Sequence, residues 1–436
     1  PYPFTLCCTM HINTLVKVDE LMRNFIDATK AFSEQCQLGY SVSSSEVAPA
    51  RQNLLTLLAE LQVLLFQPTN FLRSLASQVQ ILACLQWLGD FQALACIPLN
   101  NSVQIQVISD VIGVPEAQLS RILCMMTTAG FLYEPQPGYI AHTPLSASFV
   151  TQPSHLDAAL FLAGTAAPAA LNMTVATKSY GHSDSPSACA YSIAFNTAQS
   201  FQSSCGTCPK LKRQFAAYTR HMDPTDDGTA TELLGRLDWP KLGNARVADV
   251  VAESISPVSA LAKLYPSLNF IVQMDDTTSP SSGYAMNNQL MDRISVQQRT
   301  SGQQQVVKDA AVYMVRLTSS VLVTPLSQLR KQILAELEAH VKVLSANPEA
   351  TLILQVRVLP KTTSLEHYGP GTARVLDLSL LQLGSDRPME ITDIFALVED
   401  VHHDGSGRLV IVKNMCVQNN DFVVLGVKYQ AGSYIQ

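Results

Sequence analysis

Charge is scarce in this 436-residue chain: Lys, Arg, Asp and Glu together make up 15% of it, and they leave a formal net charge of −6. No global positive field exists to gather nucleic acid or coat an anionic membrane, so any DNA contact needs a local patch. Long apolar runs are also missing. The richest stretches, 54–66 and 81–99, are broken by Glu60, Asp90 and Gln92 well short of the roughly 20 apolar residues that cross a bilayer, so no membrane span is expected. The ten cysteines are too dilute to staple a small secreted domain and suit reduced thiols inside a cell. The one tight pair, Cys205 and Cys208, has no second CxxC and no His at ligand spacing, which weighs against zinc or redox chemistry. The nine histidines are isolated in the same way. His402-His403-Asp404 falls in a Gly-rich loop, His142 beside a turn and His340 on a helix, so structural or solvated roles and no metal site are expected. The chain opens Pro1-Tyr2-Pro3 without a Met, so its compartment is not read from a leader.

What is present is apolar patterning. With 47% hydrophobic residues, a chain of this length buries at least two cores, because single cores stop growing at roughly 250–300 residues. Apolar positions recur at three and four over 12–32 and 51–66, either side of the Ser-rich stretch 42–49, and predict amphipathic helices. A third helix over 70–92 is apolar nearly all round and is expected to be buried. A short helix then ends at Gly113, turns through Val114-Pro115 into a helix over 116–128, and runs into a hairpin about Pro135-Gln136-Pro137-Gly138, a winged helix-turn-helix pattern. DNA reading needs basic or amide side chains on the second helix. Only Gln118, Ser120 and Arg121 are offered, so a packing and dimerisation module is expected, with no direct DNA binding. Residues 165–207 read as loop and short helices. The basic run Pro209-Lys-Leu-Lys-Arg-Gln214, with Arg220 beyond it, suits an acidic partner, a weak nuclear address or a solvated helix face.

From 245 onward, strands and helices alternate. Strands are predicted at 247–251, 269–273, 310–315 and 351–358, helices at 257–264, 326–345, 371–383 and 390–398, and a closing hairpin at 408–413 and 422–429. Such alternation predicts an α/β, doubly wound Rossmann-type sheet with an antiparallel C-terminal hairpin. Three parts follow: a helical dimerisation and winged-helix domain over 1–155, connecting helices over 156–240, and the α/β domain over 241–436.

Trp239-Pro240, Arg246-Val-Ala-Asp-Val-Val251 and Val258-Ser-Ala-Leu-Ala-Lys-Leu-Tyr-Pro-Ser-Leu-Asn-Phe-Ile-Val-Gln273 resemble the cofactor region of class I small-molecule O-methyltransferases of fungi and plants. The resemblance continues through Ala310-Ala-Val-Tyr-Met-Val-Arg316 and Leu352-Ile-Leu-Gln-Val-Arg-Val-Leu-Pro360 and covers nearly the whole chain. It implies a methyltransferase-like fold. In that family the first strand enters a glycine-rich loop, because the backbone passes close to S-adenosylmethionine at angles a Cβ resists. Here the loop reads Val251, Ala252, Glu253, Ser254 and Ile255, with every expected glycine gone. Asp275 or Asp276 matches the acidic residue that grips the ribose, as a vestige. The family's catalytic His falls on Ser320, and a hydroxyl does not replace an imidazole as base near neutral pH. No catalytic residue, no cofactor and no methyl transfer are expected.

Leu82-Ala-Cys-Leu-Gln-Trp-Leu-Gly-Asp-Phe-Gln-Ala-Leu-Ala-Cys-Ile-Pro-Leu99, Ala129-Gly-Phe-Leu-Tyr-Glu-Pro135, Phe149-Val-Thr-Gln-Pro153 and Asp377-Leu-Ser-Leu-Leu-Gln-Leu383, together with the basic run, resemble the aflatoxin-cluster co-activators of fungal aromatic polyketide pathways. The resemblance implies a non-enzymatic co-activator that partners a zinc-cluster (Zn2Cys6) transcription factor, forms a homodimer and works in the nucleus, with a share in the cytoplasm. The alternative is a non-methylating enzyme of pericyclase or cyclase type, since such a pocket needs few catalytic groups.

Overall fold

The computed structural model describes residues 4–37, 46–181, 183, 185–222, 234–235, 237–252, 255–274, 292–317, 322–358, 371–403, 407–416 and 422–431. The described residues divide into two compact units, one built on residues up to Ser146 and the other on residues from Ala147 onward.

The first unit opens with α1 (Phe4–Gln37), α2 (Ala48–Leu65) and α3 (Pro68–Asp90). Leu21 and Ala28 of α1 close on Leu57 and Leu61 of α2. Proline stands at the first turn of α2 and of α3, where its missing N–H costs nothing. Then come β1 (Val103–Gln104), α4 (Ile105–Ile112), α5 (Glu116–Thr128), β2 (Leu132–Gln136) and β3 (Tyr139–His142). Gly113 ends α4 at φ +68, and the turn is tied by Ser109 Oγ donating to the Val114 carbonyl at 2.6 Å. The strands form an antiparallel sheet in the order β1-β3-β2.

One expectation fails here. The third helix is not buried along its length: only Cys84, Leu88 and Gly89 are buried, while Phe71, Leu72, Leu75 and Val79 are 44–64% exposed. Phe91, just past its end, is also exposed. All-round apolarity marks a surface that favours cover, and this half of the helix stays exposed among the described residues.

Helix α6 (Pro144–Thr151) spans the boundary, and the second unit continues with short helices: α7 (Pro153–Phe161), α8 (Ala167–Leu171), α9 (Met173–Tyr180), α10 (Ala190–Ala194), α11 (Phe201–Thr207) and α12 (Pro209–Met222). An aromatic cluster of Phe161, Tyr191, Phe201 and Tyr218 holds them together. The α/β part follows as β4 (Arg246–Val250), α13 (Ser256–Leu264), β5 (Asn269–Met274), β6 (Ile294–Gln298), β7 (Val312–Leu317), α14 (Leu326–Ala346), β8 (Thr351–Arg357), α15 (Gly371–Gly384), α16 (Ile391–Asp400), β9 (His402–His403), β10 (Gly407–Cys416) and β11 (Phe422–Ala431). The eight strands lie in the order β6-β5-β4-β7-β8-β11-β10-β9, parallel from β6 to β8 and antiparallel from there on.

Strands covered on both faces carry near-continuous apolar runs, and β4, β7 and β8 do so. Ala248, Val250, Tyr313, Val315, Leu352 and Leu354 face Ile333, Leu337 and Leu344 of α14 and Ile394 and Val398 of α16. Val247, Val272, Met314 and Ile353 face Trp239 and Val258, Leu261 and Ala262 of α13. Helix α16 starts on a capping box in which the Glu390 N–H donates to the Asp393 carboxylate at 2.9 Å.

The α/β architecture is as expected, with small differences. Strand β6 is absent from the sequence reading because only its first residue, Ile294, is buried and the other four are exposed, so no apolar pattern announces it. Residues 103–104 are strand before the helix begins, and β7 starts at Val312 rather than Ala310. His402 and His403 form a short strand against Gly407 and Arg408 and are not in a loop. Among the described residues no single helix is long and apolar enough to cross a membrane. The bent pair 153–171 and 173–180 passes on length and composition, but Phe161, Ala166 and Ala169 are in the core.

Candidate functional site

A doubly wound sheet binds ligands outside the carboxyl ends of its strands, where the strand order reverses. Here that point is between β4 and β7. Strand β4 leads through α13 to β5 on one side, and the chain then returns to β7 on the other.

At the carboxyl end of β4, Val251 takes φ +57. A β-branched residue rarely occupies this left-handed region. The backbone nevertheless takes this conformation at Val251 and bears the branched side chain. The next residue, Ala252, is buried, and its N–H donates to the Gln273 carbonyl at 2.9 Å, which locks the strand end to β5. Ile255 caps α13 without a side-chain hydrogen bond. Glu253, Ser254, Asp275, Asp276 and Ser320 lie outside the described residues.

The strongest electrostatic feature of the switch point is one that the sequence reading passed over. Arg316 Nε and Nη2 donate to Asp249 Oδ1 and Oδ2 at 2.9 and 2.8 Å, with both side chains buried. Gln355, on the strand beside Arg316, is fully buried, and among the described residues neither of its amide atoms has a hydrogen-bond partner. The signal was available: an acid and a base each interrupt an apolar strand, one residue from its carboxyl end.

On the opposite sheet face a second polar network is buried. Glu336 receives Arg299 in an ion pair at 3.0 Å and also accepts from Ser301 Oγ at 2.9 Å. His340 Nδ1 is 2.6 Å from the Glu336 carbonyl and Nε2 is 3.2 Å from Gln305 Nε2, which fits a neutral ring donating at one nitrogen and accepting at the other. Burial holds the His340 pKa down to about 4. Gln305 also exchanges amide bonds with Gln273 at 2.9 and 3.0 Å.

Beyond β7 lies a cavity of about 580 Å³, lined by Phe201, Leu322, Leu326, Leu380, Asp386 and Arg387 among others. That is ample for a small organic molecule. Its charged groups are already engaged. Asp386 accepts from the Leu326 N–H at 3.0 Å, and Arg330 and Arg387 both grip Asp393, whose carboxyl is held down to about 2, chiefly by Arg387.

The remaining residues singled out from sequence separate. His142 is buried between Ser146 Oγ at 2.9 Å and the Leu94 carbonyl at 3.2 Å, a structural tie. His155 and His221 stack at 4.4 Å. Cys205 is half-buried, its thiol pushed up to about 11 by burial and by the neighbouring Cys208, which is exposed; both are free. Among the described residues no group of His, Cys, Asp and Glu is placed to hold a metal ion. On α5, Leu119, Leu123 and Met126 are buried, Gln118 and Arg121 face solvent and Ser120 is half-buried.

No family model matches the chain. Among solved structures it is similar to OxaC in complex with SAH and oxaline, at TM-score 0.55 and 17% identity over 96% of this chain and all of that one. It is also similar to a LepI variant in complex with SAH and a substrate analogue, at TM-score 0.60 and 14% identity over 93% and 99%. At such identities these neighbours show the fold alone. Curated relatives are much nearer in sequence. The dothistromin biosynthesis regulatory protein aflJ of Dothistroma septosporum is 40% identical over 88% of this chain and 89% of its own length. The monodictyphenone cluster transcriptional coactivator mdpA of Emericella nidulans is 39% identical over 90% and 91%. The geodin cluster transcriptional coactivator gedD of Aspergillus terreus is 41% identical over 84% and 97%. By identity and by coverage, this methyltransferase-like chain belongs to the aflJ-type family of fungal cluster transcriptional coactivators.

Proposed function

We propose that the chain is a transcriptional coactivator of a fungal secondary-metabolite gene cluster, acting in the nucleus by binding a zinc-cluster transcription factor and moving no methyl group itself. The observation that carries this reading is likeness to named coactivators along nearly the full length of both chains. The switch point supports the second half. Val251 places a branched Cβ where an S-adenosylmethionine loop needs glycine, and the Asp249 carboxylate is fully engaged by Arg316. Both features weigh against S-adenosylmethionine at the described part of the loop, Val251 and Ala252. The exposed apolar residues of α1 to α3 support a homodimer that covers them.

Tagged protein pulled from producing cells and read by mass spectrometry is expected to bring down a zinc-cluster regulator, and gene deletion to silence the cluster. Unchanged cluster transcripts on deletion would overturn the reading. Calorimetry with S-adenosylmethionine is expected to show no binding, and micromolar affinity would return methyl transfer to consideration.

A further inference from the structure

The outward face of α12 carries Lys210, Lys212, Arg213 and Arg220, all exposed. Its inward face is fixed: Gln214, Ala217, Tyr218 and Thr219 are buried, Tyr218 is 4.8 Å from Phe161, and Phe215 is 4.8 Å from Phe201, ring centre to ring centre. The cations are therefore presented on a rigid ridge, about 15 Å long from residue 210 to 220 at helical rise. Arg213 is neutralised by Asp157 in a two-pronged bond of 2.9 and 3.0 Å. Among the described residues no carboxylate pairs with Lys210, Lys212 or Arg220. Three of the four cations sit in the first turns of the helix, which holds no acid in its first turn. That end carries the positive pole of the helix dipole, so the arrangement opposes helix stability and favours an incoming anion.

We propose that this ridge docks an acidic segment of a partner protein. The proposal rests on the coactivator reading and gives the partner a chemistry. Duplex DNA is the weaker fit, because three free cations on a chain of net charge −6 fall short of the roughly 6–10 phosphate contacts of ordinary DNA binders. A linear nuclear address is also disfavoured, since the run is wound into a helix with Gln214 locked in the core.

The test is fluorescence anisotropy of the full chain with a labelled peptide rich in Asp, Glu, Leu and Phe, against the same peptide with Asn and Gln in place of the acids. The acidic peptide alone is expected to bind, more weakly as salt rises. K210E/K212E/R220E is expected to weaken it about tenfold or more, on the scale of a few lost charge contacts. K263E/K308E/K331E, which makes the same net-charge change at exposed cations elsewhere, is expected to leave it within about twofold, because distant surface charges are screened. Equal losses in both variants, no binding by the unaltered chain, or equally tight binding of a short DNA duplex would each overturn the proposal. In cells the two readings separate. A K210E/K212E/R220E chain that keeps the regulator bound and the cluster transcribed, where deletion loses both, sinks the ridge and leaves coactivation standing.

Discussion

Asp249 and Arg316 meet fork to fork across the neighbouring strands β4 and β7, each next to last in its strand and each buried. Two charges in so dry a place are bound to each other's presence. Removing Arg316 leaves the buried Asp249 carboxylate without its counter-charge, whereas replacing both with apolar groups removes the cost and the gain together. R316M alone is therefore expected to lose about 3–5 kcal/mol of stability, and D249L/R316M to recover most of it. Urea unfolding of the three proteins measures this. A double variant as unstable as the single would mean that the pair holds the switch point by more than its charges.

His340 gives the fold an acid limit. Its pKa is held near 4 by burial, against about 6.5 in the unfolded chain. A group whose folded pKa is depressed binds its proton first in the unfolded state, so its contribution is complete above about pH 6.5 and is lost as pH falls toward 4. Up to about 3 kcal/mol is expected to disappear over that window. H340Q, which keeps polarity without titrating there, is expected to flatten the slope of stability against pH between 6.5 and 4, as read by thermal unfolding at stepped pH. Asp393, held near 2 chiefly by Arg387, adds its own loss only at lower pH, as its carboxyl protonates below about pH 4.

The architecture was legible because burial on both faces writes itself as unbroken apolar runs, as in Val312 to Val315 and Leu352 to Leu354. Strand β6 was not, since its exposed residues carry no pattern and its place is set only by pairing with β5. Within the site, the loss of glycine after Asp249 was plain from the sequence. The Arg316 bond to Asp249 was legible only in part: each charge interrupts its apolar strand, but no local pattern pairs residues 67 positions apart. Helix α3 misled for a physical reason: apolarity reports that a surface is to be covered, not which molecule covers it.

Val251 is predicted to be a strained residue. Holding a β-branched side chain at φ +57 costs about 1–2 kcal/mol. V251G relieves that and gives up a half-buried side chain and some chain entropy, so the net change is expected to stay within about 1 kcal/mol. Val250, one residue earlier and fully buried, has no such strain to recover, and V250G is expected to cost about 2–4 kcal/mol. Comparable losses from the two substitutions, by chemical unfolding, would show that the loop bears no strain.

The exposed half of α3 sets the last expectation. Phe71, Leu72, Leu75 and Val79 lie at spacings of one, three and four along the helix, and Leu72 and Val79 are 64% and 63% exposed. Helices α1 and α2 also leave apolar side chains exposed, among them Leu15, Leu55 and Leu65. A homodimer that covers α3 holds together by apolar burial, so putting a carboxylate at its centre leaves an unpaired charge there. L72E/V79E is expected to shift the chain from dimer to monomer in analytical ultracentrifugation, while the buried part of α3 about Cys84 and Leu88 keeps its helical signal unchanged. A chain that sediments as a monomer before any substitution, or an L72E/V79E chain that stays dimeric, would place the cover on these helices with another protein.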